Sequence, residues 1–197
     1  MGKWAIASRR AAAFVCAIAL AGAAVAAAEQ WVSQDGRLHI TVPDGWPVDV
    51  MSGAGSPVLQ IAAGNADQEC QVFVVPNLGT ATATTDQILR TFNRPLTPEQ
   101  WSGIVSGIPL VRNGSVTTTG IDTTGFWPRQ EALVNKDGGV IYASVQGRPG
   151  YDIYSFCKTY SGADDPALYN TILDSVGAGG DAAAEAAAAL QPAPAPQ

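Results

Sequence analysis

The residue types that carry chemistry are few in this chain and lie far apart. Its 197 residues include one histidine, His39, and three cysteines, one of which, Cys16, falls in an apolar N-terminal run. The other two, Cys70 and Cys157, stand 87 positions apart and form no C-x-x-C. A transition-metal site needs several such ligands at close spacing, so no metal ligand is assigned. A serine hydrolase would have to use His39 as its base, and no G-x-S-x-G elbow accompanies it. The glycine-rich stretch Ser52–Ser56 lacks the lysine and the following helix of a phosphate-binding loop. No catalytic and no cofactor-binding residue is assigned. Paired carboxylates leave no spacing signature, so an exported hydrolase using carboxylates or His39 stays open as the alternative to a non-catalytic chain.

The elements that must position these residues begin with the segment around the histidine itself. Leu38, Ile40 and Val42 alternate with Arg37, His39 and Thr41, the period of a half-buried strand with His39 on its polar side. "PDG" at Pro43–Gly45 ends that strand in turn chemistry. "VLQIAA" from Val58 and "CQVFVV" from Cys70 read as further strands, and "SVTTTGI" from Ser115 as another. From Pro128 to Tyr160 the pattern is a three-strand meander turned by "KDGG" and "GRPG". Three helices are expected. One follows Thr84 or Thr85, one is capped by Thr97 with Pro98 at its first position and Gln100 at its third, and one is capped by Asp165 and stopped by Gly177.

Both ends of the chain fall outside this pattern. Lys3, Arg9 and Arg10 precede the apolar "AAAFVCAIALAGAAVA", and Ala26–Ala28 supply small residues for cleavage before Glu29, so residues 1–28 read as a signal peptide. Nothing before Cys16 resembles a lipid-attachment motif, and no stop-transfer run follows, so the mature chain is not expected to be membrane-integral. Residues 177–197, rich in alanine and proline with Leu190 as the one large apolar group, read as a disordered tail whose deletion leaves stability unchanged. A single domain over residues 29–176 remains.

Charge and compartment narrow the function. Losing three basic residues with the signal leaves 8 basic against 17 acidic residues, a net charge of −9. Such a surface argues against nucleic acid and anionic lipid as partners. Beyond the membrane an oxidising compartment favours a disulfide between Cys70 and Cys157, with buried free thiols as the other reading. Phe126 and Trp127, beside a proline at the start of a strand, offer a possible binding surface, although large aromatics also serve as core.

Strands grouped together, helices in the middle and a terminal helix indicate an α+β fold, an antiparallel β-sheet flanked by helices. "LHITVPDGWPV", a strand running into a P-x-G-W turn, resembles the opening of the Mog1/PsbP-like families, and "YNTILDSV" resembles their last helix. The resemblance spans about Trp31 to Val176, although only its two ends carry recognisable residues. It implies a Mog1/PsbP-like sandwich and a non-catalytic binding or assembly module, here in the periplasm or secreted. Its expected partner is another envelope protein or a small ligand.

Overall fold

The structure, a computed structural model, describes residues 28–189. The expected signal peptide therefore lies, but for Ala28, outside the described residues. Strand β1 (Ala28–Val32) pairs antiparallel with β2 (His39–Pro43) as a separate hairpin. A second sheet contains β3 (Val48–Val50), β4 (Leu59–Gly64), β5 (Gln68–Pro76), β6 (Ser115–Asp122), β7 (Arg129–Lys136), β8 (Gly139–Arg148) and β9 (Tyr151–Thr159). All of its pairs are antiparallel, in the spatial order β3-β4-β5-β9-β8-β7-β6. Helices α1 (Thr85–Phe92) and α2 (Pro98–Gly107) come between β5 and β6, and α3 (Pro166–Ser175) and α4 (Asp181–Ala189) follow β9. The α+β class read from the sequence is the one observed.

Local sequence accounts for the boundaries. Thr84 and Thr97 each accept from the backbone N–H three residues on, and Gln87 and Gln100 reach back to the cap amide, completing two capping boxes. The Asp165 side chain accepts from the Leu168 N–H, which starts α3 behind Pro166. In the β7–β8 turn both Asp137 and Gly138 adopt positive φ, 53° and 79°, the conformation a two-residue hairpin of primed type requires. Strands β1 and β3 carry no alternation strong enough to be read beforehand.

The main sheet buries a different cluster on each face. On one, Leu38 and, from β2, Ile40 and Val42 pack with Val72, Cys157 and Ile172 of β5, β9 and α3. On the other, Ile88, Phe92, Trp101 and Val105 of α1 and α2 pack with Val134 and Phe156 of β7 and β9. Trp101 is fully buried there. Burying a large apolar side chain of this kind contributes about 1.5–3 kcal/mol. Buried Gln130 joins α1 to β7 by donating to the carbonyls of Phe92 (2.5 Å) and Arg94 (3.0 Å) and accepting from the Leu96 N–H (3.0 Å). It satisfies backbone groups that the end of a helix leaves open.

Gly147 of β8 lets α1 come this close, because a Cβ there would overlap the ring of buried Phe92. Gly147→Ala is expected to destabilise the protein by about 1–3 kcal/mol, the usual cost of overpacking a filled core. Equilibrium urea unfolding checks this, and an unchanged midpoint would show that Phe92 has room to move.

The C-terminal boundary differs from the sequence reading. The segment from Gly177 was expected to be a disordered tail, yet Gly177 exchanges backbone hydrogen bonds with His39 (2.9 and 3.0 Å), and Ala178 and Asp181 are buried. Nor does Gly177 stop α3 by turning left-handed. The helix ends at Ser175 with Val176 extended, and glycine is needed because a Cβ would strike the His39 ring. Gly179 likewise sits against the backbone of Gly36. Composition points to disorder because apolar burial is scarce, but this segment is held by backbone pairing and one buried carboxylate. Residues 190–197 lie outside the described residues.

Candidate functional site

On the face shared with α3, strands β6, β7 and β8 floor a cleft of about 320 Å³. Strand alternation puts Asp122, Arg129, Gln146 and Arg148 on this one side. The end of α3, the first turn of α4, His39 and the loop Thr124–Trp127 complete the walls.

Two arginines organise the floor. Arg129, 5% exposed, pairs through Nη2 with Asp122 (3.0 Å) and Glu131 (2.7 Å), and through Nη1 with Asp174 of α3. It thereby joins β6, β7 and α3, while its own Nε is buried without a partner. The Thr124 backbone N–H, with Arg129 behind it, holds the Asp122 carboxyl below the ordinary carboxylate range.

Arg148, 2% exposed, forms a two-pronged pair with Asp181, Nε to Oδ1 at 2.7 Å and Nη2 to Oδ2 at 2.8 Å. It also donates to Gln146 Oε1 (2.9 Å) and to the Gly147 carbonyl (2.9 Å), and its guanidinium lies 4.3 Å above the Trp127 ring. Asp181 in turn accepts from the Ala178 N–H at 2.8 Å, and Gln146 donates to the Val176 carbonyl at 3.2 Å. The peptide between α3 and α4 is thus stitched to β8 by charge-assisted and backbone hydrogen bonds.

Phe126 and Trp127, singled out in the sequence, both line this cleft together with His39. Their rings meet edge to face at 5.1 Å. Phe126 is partly buried against the second core cluster and keeps some exposed surface. Trp127, 8% exposed, lies beneath Arg148 and packs with the second core cluster, so its reading as a surface residue is corrected.

Cys70 and Cys157 are bonded, at directly opposed positions on β5 and β9 with Cα atoms 4.0 Å apart. Both are buried among apolar residues and neither lines the cleft, so the bond is structural.

Arg129, Gln146, Arg148 and Asp181 were not picked out from the sequence. The available hints were two arginines inside apolar strand patterns and an aspartate opening an alanine-rich helix. Neither hint names the partner, because the Arg148–Asp181 contact spans 33 positions.

The cleft has a definite electrostatic character. Asp122, Asp174, Asp181 and Glu185 outnumber Arg129 and Arg148 in its lining, and each arginine is already neutralised by a carboxylate. No guanidinium is left over to clamp an anion, so the cleft favours a cationic or neutral occupant beside Phe126. Among the described residues no group of three His, Cys, Asp or Glu is placed to hold a metal ion.

No protein-family model and no curated protein sequence matches the chain. Solved structures do resemble it. The cyanobacterial PsbP (CyanoP) of Synechocystis sp. PCC 6803 aligns with a TM-score of 0.50 at 14% identity, over 80% of this chain and 95% of that one. A crystal structure of a protein from Bacteroides thetaiotaomicron VPI-5482 aligns at 0.43 and 10% identity, over 76% of this chain and 47% of that one. The fold is PsbP-like, as the two terminal motifs implied, and at this identity the likeness is one of fold alone.

Proposed function

We propose that the mature chain is an exported, non-catalytic module of the cell envelope, and that the cleft beside Phe126 receives a segment of another protein. The observation that carries this reading is the cleft's make-up: a partly exposed aromatic ring at the edge of a net-acidic floor whose arginines are already paired. Such a surface suits a segment that brings an apolar side chain for Phe126 and a basic one for Glu185. Export is supported by the N-terminal pattern of basic, apolar and small residues, and by the disulfide, a bond that persists in oxidising compartments. Among the described residues no helix is long and apolar enough to cross a membrane.

The test is affinity capture from envelope extracts of the source organism, with the mature chain and its Phe126→Asp variant run side by side. A partner recovered by the parent is expected to fall at least tenfold with the variant, as an interface hot spot would. Equal recovery by the two proteins would remove the cleft from the binding reading.

One observation favours a second reading, an exported hydrolase: His39 and several carboxylates do converge in one concave site. Their bonding argues the other way. Asp122 and Asp174 are engaged by Arg129, and Asp181 by Arg148, which leaves Glu185 as the one lining carboxylate without an ion pair among the described residues, whereas acid–base work by carboxylates needs two. The serine in the lining, Ser175, accepts from the Thr41 N–H (2.8 Å) and donates its one proton to the Ile172 carbonyl (2.7 Å), with no hydrogen bond to His39. A broad hydrolase substrate screen of the mature chain decides between the two. Turnover that disappears in His39→Ala would establish the enzyme, and no turnover is expected.

A further inference from the structure

On the opposite face of the main sheet, α1 and α2 stand off the strands around a second cavity, of about 460 Å³. Its apolar walls include Phe92, Leu96, Ile104 and Val145. Besides Thr80, Thr91 and Gln100, its polar lining holds Asp152 and Tyr154 of β9 with Asn77, which precedes the short helical turn Leu78–Thr80. Asp152 is 9% exposed. Its Oδ2 accepts from Asn77 Nδ2 (2.9 Å) and from the Tyr154 hydroxyl (3.2 Å), whereas Oδ1 is buried and accepts nothing.

A buried carboxylate with one oxygen unmatched is an expensive arrangement, of the kind proteins keep where a partner arrives from outside. Both of the donors it has are neutral, and no Lys, Arg or His lines the cavity. Burial pushes the Asp152 carboxyl up from its ordinary range, as expected of a negative charge without a counter-ion. The two donors are fixed in place beforehand. The Asn77 side chain also accepts from the Gly79 N–H (3.0 Å) and its backbone N–H donates to the Gly150 carbonyl (2.8 Å). Burial and the neighbouring Asp152 charge keep the Tyr154 hydroxyl protonated, and so a donor.

We propose that this cavity binds a small organic cation, an ammonium group on an apolar body, whose N–H donates to Asp152 while the body packs on Phe92 and Ile104. The volume falls within the range of small-molecule sites. The positive charge supplies the missing counter-ion, and its N–H adds a charged donor to a carboxylate that otherwise has only two neutral ones. Because the site lies across the sheet from the Phe126 cleft, it stands or falls independently of the function proposed there.

The test is isothermal titration of the mature chain with phenethylammonium chloride, and with 3-phenylpropionate as a probe of similar size and opposite charge. Saturable binding of phenethylammonium and none of the carboxylate is expected. Asp152→Asn, which keeps the shape and removes the charge, should weaken phenethylammonium at least tenfold, and Phe126→Ala should leave it unchanged. Ile104→Trp, which fills the cavity without touching the carboxylate, should abolish binding, and it carries the test if Asp152→Asn fails to fold. No binding of phenethylammonium by the parent would overturn the proposal. So would equal affinity in whichever of the Asp152→Asn and Ile104→Trp variants folds, or equal binding of the carboxylate.

Discussion

Truncating the mature chain before Ala178, or replacing Asp181 with alanine, is expected to lower stability by about 3–5 kcal/mol. Either change leaves the Arg148 guanidinium, 2% exposed, without the carboxylate that takes two of its hydrogen bonds. An unpaired buried charge costs far more than the pair contributes, because its desolvation is no longer offset. Truncation also removes the Ala178 N–H that donates to Asp181 and leaves the Gly36 backbone uncovered. Urea unfolding of the parent, the truncation and Asp181→Ala supplies the numbers. The double variant Arg148→Met with Asp181→Leu should recover most of the loss, since it removes both charges and keeps the volume. A truncation as stable as the parent would mean that the segment after α3 does not dock.

Replacing Cys70 and Cys157 together by alanine is expected to cost about 4 kcal/mol, since the bond closes a loop 87 positions long in the unfolded chain. Thiol titration of the mature protein, unfolded without reductant, should find no reactive thiol. Two thiols per chain would remove the bond and this estimate with it. The bond joins central strands of the main sheet, so its loss should loosen β5 against β9 before it affects the edge strands. Hydrogen exchange of the β5 amides in the alanine variant would show this.

What could be read beforehand, and what could not, divides along the range of the interactions. The alternation in β2, a threonine cap at Thr84 or Thr85, the capping box at Thr97, and the Asp137–Gly138 turn are local, and each is legible in a few residues. The cysteine pairing was legible by elimination, but the adjacency of β5 and β9 that permits it spans most of the domain. The tail was misread because alanine and glycine signal no burial, whereas its docking depends on the absence of a Cβ at Gly177 and on one carboxylate finding Arg148. Trp127 was misplaced for a related reason. An aromatic beside a proline reads the same whether it faces water or a guanidinium from the next strand. The cleft is built from side chains on β6, β7, β8, α3 and α4, and nothing in their spacing along the chain brings them together.

The most direct test of a protein-binding cleft places a photocrosslinking amino acid at position 126 of the full chain, expressed in its source organism. A second chain carries the same probe in place of Leu78, which is 89% exposed and outside the cleft's lining. Irradiation is expected to give a discrete heavier adduct from position 126 and none from position 78. No adduct at 126, or the same adducts from both positions, would contradict the account.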